Sequence, residues 1–244
     1  MKFSRQMVVA HRGASGLVKH ENTIEAFQKA IEIGADCIEC DVRKTADGVI
    51  IIYHDELING VVVNSLKYQE ILDINGFHVP TLEETLKFVK GKILIDIELK
   101  EGGYEEEAIF LIQKHLTNDE FYIRSFLDET LKKVKKIDKT IITALLLGLD
   151  KPKNVFLTRL SELFPFFRIL KTKCNFVSPY YKLLRLGFVT RMKLIGKPVS
   201  VWTVDDELLM VKLLKKKKID SIVTNYPDVA LRVLGRTDKT KKSN

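Results

Sequence analysis

Cysteine is scarce, three residues in 244, too few to staple a small loop-rich domain, so a disulfide framework is excluded and a reducing, cytosolic compartment is expected. Long apolar runs are missing too, and none approaches the ~20 residues that a membrane-spanning helix requires. Only four apolar residues, Met7 to Ala10, follow the polar start, and no secretory signal is expected from so short a run. No Gly-x-Gly-x-x-Gly follows any strand-like segment, which removes the usual mark of a dinucleotide site. No Pro/Gly/Ser-rich linker and no internal repeat interrupts the chain. One domain is therefore expected over residues 1–236, with a frayed polar tail over 237–244. What remains is ample for a core: 45% of the residues are hydrophobic, which excludes a disordered or fibrous protein.

Acidic charge is missing from one part only. Residues 1–150 hold 19 Lys and Arg against 25 Asp and Glu, a net of −6, while residues 151–244 hold 21 against 7, a net of +14. Such polarity points to an anionic partner, and composition leaves nucleic acid, an acidic membrane surface and a phosphorylated substrate open.

Short β-branched runs alternate with stretches of three-and-four apolar spacing from end to end. Strands are predicted at 7–11, 37–43, 49–54, 93–99, 121–125, 141–147, 175–179, 199–204 and 221–224. Helices are predicted at 23–33, 82–89, 105–116, 127–137 and 207–216, among others. Nine strands exceed an eight-fold barrel by one. The strands ending at Arg43 and starting at Val49 are too close for a parallel crossover, and the Asp47-Gly48 between them is a hairpin signal. They are read as an antiparallel ribbon. The remaining count is that of an α/β TIM (β/α)8 barrel with a short antiparallel ribbon after the second strand.

Unusual polar residues crowd the C-terminal ends of these strands, where barrels carry their active sites. His11-Arg12-Gly13 ends the first, Glu39 and Asp41 share one face of the second, and Asp96, Glu98 and Lys100 share one face of the strand at 93–99. With a two-residue hairpin loop, His54 falls opposite Asp41, beside a carboxylate pair. Oxygen donors from Glu39, Asp41 and Glu98 suit a hard cation, Mg²⁺ or Ca²⁺. Zinc would call for sulfur or several imidazoles. Cys37 and Cys40 face opposite ways on a strand and, with no second cysteine pair, read as a core thiol and a neighbour. Taken singly, each polar residue has an ordinary explanation as a cap or a surface ion pair; as a set at one barrel mouth they read as a catalytic site.

The order of motifs resembles the glycerophosphodiester phosphodiesterase family. It runs His11-Arg12-Gly13, Glu21-Asn22-Thr23, Glu39-Cys40-Asp41-Val42, Asp47-Gly48, His54-Asp55, Pro80-Thr81-Leu82-Glu83, Glu98-Leu99-Lys100, Ser125-Phe126, Trp202-Thr203-Val204 and Thr224-Asn225-Tyr226-Pro227. The resemblance implies a TIM barrel that hydrolyses glycerophosphodiesters to glycerol 3-phosphate and an alcohol. It implies Glu39, Asp41 and Glu98 as metal ligands, His11 and His54 as a general acid–base pair, and Arg12 and Lys100 as the grip on the phosphate. Glu21, Asn22, Asp55, Phe126 and Trp202 are expected around them, Glu21 orienting a neighbour and Thr23 capping the helix from Ile24. The implied route begins with attack of the glycerol C2 hydroxyl on phosphorus and passes through a cyclic phosphate. The stretch from Glu56 to Val79 is shorter than in many relatives, and Asn225 stands where aspartate is frequent.

Residues 155–173 are the other oddity. Phe156, Leu160, Leu163, Phe164, Phe167 and Leu170 make a wide apolar face, Arg159, Arg168, Lys171 and Lys173 add charge, and Pro165 should kink the segment or start a second helix. The plain expectation is an outer barrel helix packed on the sheet. The alternative is an interfacial element on anionic lipid, feeding lysophospholipids to a lysophospholipase D activity, on a cytoplasmic enzyme with peripheral membrane contact. A nucleic-acid-binding role would use the basic part but gives no reason for His11, His54, Glu39, Asp41 and Glu98 to fall together, and no nucleic acid is expected.

Overall fold

The computed structural model describes residues 5–150, 152 and 154–236. The polar tail expected over 237–244 lies outside the described residues. Strand β1 (Met7–Ala10) is buried throughout, as its Met-Val-Val-Ala run requires of a barrel stave. The chain returns through α1 (Ile24–Ile33), which begins where the Thr23 side chain accepts from Ala26 N. Then come β2 (Cys37–Lys44), β3 (Ile50–Ile52), the pair β4 (Leu57–Ile58) and β5 (Val61–Val62), α2 (Tyr68–Asn75) and α3 (Leu82–Val89). Thereafter strand and helix alternate: β6 (Leu94–Leu99), α4 (Glu105–His115), β7 (Phe121–Ser125), α5 (Asp128–Ile137) and β8 (Thr143–Leu147). Two helices follow, α6 (Val155–Leu163) and α7 (Phe166–Thr172), before β9 (Phe176–Pro179) and α8 (Phe188–Leu194). The chain closes with β10 (Ser200–Val201), α9 (Glu207–Val211), β11 (Ser221–Thr224) and α10 (Pro227–Val233).

The parallel strands run in the order β10-β11-β1-β2-β6-β7-β8-β9, and single bridges Val177–Val199 and Tyr180–Trp202 join the two ends. The architecture is the eight-fold barrel with β3 lying antiparallel on β2. Alternation divides the side chains between an inner layer, with Val9, Cys37, Tyr122 and Phe176, and the layer beneath the helices, with Cys40, Ile97 and Ile123. The two cysteines do face opposite ways, and both are buried. Among the described residues, no helix is long and apolar enough to cross a membrane.

The ribbon register differs from expectation. Val42 pairs with Ile52 and Lys44 with Ile50, one residue off the pairing that a two-residue loop would set. Thr45 N donates to Val49 O and Gly48 N to Thr45 O, so the loop holds three residues, with Gly48 at φ +86°. A glycine in the left-handed region after a turn is the usual closure of such a loop. Asp41 therefore bonds Tyr53, whose N–H donates to the Asp41 carbonyl at 2.9 Å, and His54 lies beyond the ribbon. The predicted helix at 207–216 also changes character, from α at Glu207–Val211 to a π turn at Lys212–Lys217 that buries Leu213 and Leu214 together.

Candidate active site

The first strand ends in a turn that requires glycine at position 13. His11 N–H donates to Thr224 O, extending the sheet by one residue, and Gly13 N–H donates to Glu39 O. Gly13 sits at φ +79°, and a Cβ there would lie 2.6 Å from Ala26, so no larger residue fits. The preceding Arg12, also left-handed at φ +53°, aims its backbone N–H at Glu39 Oε2, 2.9 Å away.

Parallel register sets Asp41 beside Glu98 and Glu39 beside Asp96. Asp96 does not join the mouth; it is engaged by the fully buried Arg124, whose Nε donates to Asp96 Oδ1 at 2.6 Å. One oxygen from each of Glu39, Asp41 and Glu98 lies within 4.8 Å of the others, and all three residues are buried. Around them, Arg12 Nε is 3.2 Å from Asp41 Oδ2, and Asn22 Nδ2 donates to that same oxygen at 2.8 Å. Lys100 Nζ lies 2.9 Å from Glu98 Oε1 and 3.3 Å from Asp41 Oδ1. Glu21 holds the outer end of Arg12 at 2.6 Å.

Three buried carboxylates repel one another. Burial, and then the charge of Asp41, push the Glu39 carboxyl up to about 7. Burial also raises Glu98 to about 7, although Lys100 opposes it. Burial would raise Asp41 as well, but Lys100 and Arg12 outweigh it and hold this carboxyl well below the usual range. Hard oxygen donors, buried, close together and short of positive charge fit a divalent cation of the Mg²⁺ or Ca²⁺ type.

Both histidines stand at this mouth, each tethered through Nδ1. Asn225 Nδ2 donates to Asp205 Oδ2 at 2.7 Å, so Asn225 Oδ1 faces His11 Nδ1, also at 2.7 Å. This leaves His11 Nε2 toward the carboxylates, 4.0 Å from Glu39 Oε2. Burial and the neighbouring Arg12 lower His11 to about 4. His54 Nδ1 is 2.7 Å from Asp55 Oδ1, and Arg43 fixes the His54 backbone by donating from Nε and Nη2 to its carbonyl, at 3.0 and 2.9 Å. Burial also lowers His54, though the Asp41 charge opposes it.

Of these groups, His11, Arg12, Glu39, His54, Glu98 and Lys100 line a cavity of about 510 Å³, and an apolar part of its wall is formed by Phe126, Leu127, Leu146, Leu149 and Trp202. Trp202 is fixed by an Nε1 hydrogen bond to Ser178 O at 2.8 Å and meets Phe126 edge-on, ring centres 5.6 Å apart. A larger hollow, about 710 Å³, lies between α5 and α7 among lysines such as Lys135 and Lys139, away from all of this chemistry. The other histidines stand apart: His20 stacks on Phe77, His78 faces Glu84 and His115 faces Glu83. Asp205, Arg43 and Arg124 are groups that sequence reasoning passed over, and Asn225 is noted there without a role. Closure of the barrel was the available signal for Asn225, since it makes the end of the last strand the neighbour of His11.

Fold and mouth together define a barrel phosphodiester hydrolase. The chain belongs to the glycerophosphoryl diester phosphodiesterase family, whose model matches residues 11–229. It is 30% identical over 253 residues to a glycerophosphodiester phosphodiesterase of Caldanaerobacter subterraneus subsp. tengcongensis, covering 94% of this chain and 98% of that one. It is likewise 30% identical over 262 residues to a glycerophosphodiester phosphodiesterase of Bacillus subtilis, covering 94% and 86%. Among solved structures, a glycerophosphodiester phosphodiesterase from Parabacteroides distasonis superposes with a TM-score of 0.79 at 27% identity, over 95% of this chain and 97% of that one.

Proposed function

We propose that this chain hydrolyses glycerophosphodiesters to glycerol 3-phosphate and an alcohol, with dependence on a divalent cation and with His11 and His54 moving the protons. One observation carries the reading: the buried carboxylates Glu39, Asp41 and Glu98 converge within 4.8 Å, and Glu39 and Glu98 line a cavity together with both histidines, Arg12 and Lys100. Mg²⁺ or Ca²⁺ held by the three carboxylates would supply positive charge to the phosphate oxygens and stabilise the charge they gain in the transition state.

Arg12 and Lys100 grip the same anion, the Arg fork meeting two oxygens at once. One tethered histidine accepts the proton of the glycerol C2 hydroxyl as its oxygen bonds to phosphorus. The bond to the departing alcohol breaks, and the other histidine gives that oxygen its proton. Water then opens the cyclic phosphate with the two roles exchanged, which leaves glycerol 3-phosphate and restores both rings. The Nδ1 tethers to Asn225 and Asp55 keep each Nε2 facing the substrate.

A second substrate reading is favoured by the apolar wall of Phe126, Leu127, Leu146, Leu149 and Trp202. It could lie along the chain of a lysophospholipid, whose head is the same diester, at an anionic membrane met through residues 155–173. The test is release of glycerol 3-phosphate from glycerophosphocholine, glycerophosphoethanolamine and lysophosphatidylcholine, with and without EDTA. Release from none of them overturns the reading.

A further inference from the structure

The helices α6 and α7 bury Glu162, Ile169 and Thr172 and turn most of their large apolar side chains outward. Phe156 is 75% exposed, Phe167 76% and Leu170 75%, against the expectation of a helix packed on the sheet. The buried residue of α6 is instead a carboxylate, Glu162. Its Oε1 accepts from Gly148 N at 2.7 Å and Leu149 N at 2.8 Å, and its Oε2 accepts from Arg159 Nη1 at 2.5 Å. Arg159 Nη2 also donates to Leu149 O at 2.8 Å. On α7, Arg168 Nη2 donates to Phe126 O at 2.9 Å. Leu149 and Phe126 are both walls of the catalytic cavity. The polar groups of these helices thus fasten them to the rim of the mouth, and most of their large apolar groups, Ile169 and Leu163 excepted, are left to solvent.

Charge is one-sided in the same region. Residues 151–204 hold eleven Lys and Arg and a single acid, and that acid is the buried Glu162, already paired with Arg159. An exposed apolar patch of this size marks an interaction site, and the charge selects its occupant. Arg168 and Lys171 are paired with Asp128 and Glu129 of α5, yet the cations remain in excess, and a second copy of the chain would set that excess against its own like. Nucleic acid would meet the cations but give Phe156, Phe167 and Leu170 nothing to bury in. An anionic bilayer meets both, with aromatic and aliphatic side chains entering the headgroup–acyl boundary and cations meeting lipid charge.

We propose that α6 and α7 form a docking surface that seats the cavity mouth on an anionic membrane. The apolar wall from Trp202 through Phe126 to Leu149 then runs from the catalytic groups to the docked helices and gives a lipid chain a continuous path. This last step rests on the site being a phosphodiesterase; the docking itself does not.

The test is co-sedimentation of the full chain with vesicles of phosphatidylcholine alone or with phosphatidylglycerol added, for wild type and the double variant Phe156→Ser, Phe167→Ser. Wild type should sediment with the anionic vesicles, be left behind by neutral ones and be released by high salt. Each lost ring should weaken binding on the order of tenfold, with turnover of water-soluble glycerophosphocholine unchanged, which also reports folding. Absence of wild-type binding, equal binding to neutral vesicles, undiminished binding by the variant, or a dimer that the substitutions dissociate would each overturn the docking surface. Vesicle binding as described, with no turnover of any glycerophosphodiester, would overturn the enzymatic reading and leave the docking surface standing.

Discussion

Replacing Glu39 with glutamine should stabilise the metal-free protein at neutral pH. The Glu39 carboxyl rises from 4.5 to about 7 on folding; at ~1.4 kcal/mol per unit, ionised Glu39 costs the folded state roughly 3 kcal/mol. The folded value exceeds the unfolded one, so this cost is absent below about pH 4.5, where the carboxyl is protonated in both states, and is complete once pH has risen through about 7. His11 and His54 shift the other way, since both are lowered, and both are present in either protein, while loss of the Glu39 charge also relieves Glu98, which that charge raises. Glutamine keeps an oxygen for the Arg12 N–H that Glu39 Oε2 accepts at 2.9 Å and removes the charge. In EDTA, urea unfolding near pH 5 should find the two proteins alike, and near pH 8 the variant should be more stable by up to about 3 kcal/mol. Saturating Mg²⁺ or Ca²⁺ should reverse the order, because the wild type alone keeps all three ligands and gains stability by mass action. Parallel pH curves in EDTA, or a variant less stable near pH 8, would refute the reasoning.

His54→Ala should lower turnover by ~10² to 10⁴-fold with an unchanged melting temperature; a surviving rate would remove His54 from the proton path. Asn225→Ala takes the acceptor from His11 Nδ1 and should lower kcat by ~10 to 100-fold while KM holds, and an unaltered kcat would count against the tether. Gly13→Ala forces a Cβ to 2.6 Å from Ala26 at φ +79°. It should cost about 1–3 kcal/mol, and a thermal melt unmoved by several degrees would show that the turn relaxes freely.

How far this could be read in advance varied with the kind of interaction. The barrel was legible because βα alternation is a pattern of period and length, and the carboxylate cluster because Glu39 and Asp41 sit two apart on a strand. The ribbon register was not, since one residue more in the Thr45–Val49 loop shifts every pair. His54 still reaches the mouth, but through the grip of Arg43 on its carbonyl and not through a place opposite Asp41. The tether of His11 by Asn225, and Asp205 behind it, became visible only with closure, which brings the last strand against the first. The outward apolar face of α6 and α7 was hidden for a related reason. Spacing reveals that a face exists, and only the Glu162 and Arg168 anchors show which way it turns.

The central claim is that Glu39, Asp41 and Glu98 hold a cation for chemistry carried by His11 and His54. Its most direct test is glycerol 3-phosphate release from glycerophosphocholine by wild type and His11→Ala, each with divalent cation and with EDTA. Wild type with cation should be active, and the other three combinations should fall by at least ~10²-fold. Activity that survives both chelation and the loss of His11 would contradict the account.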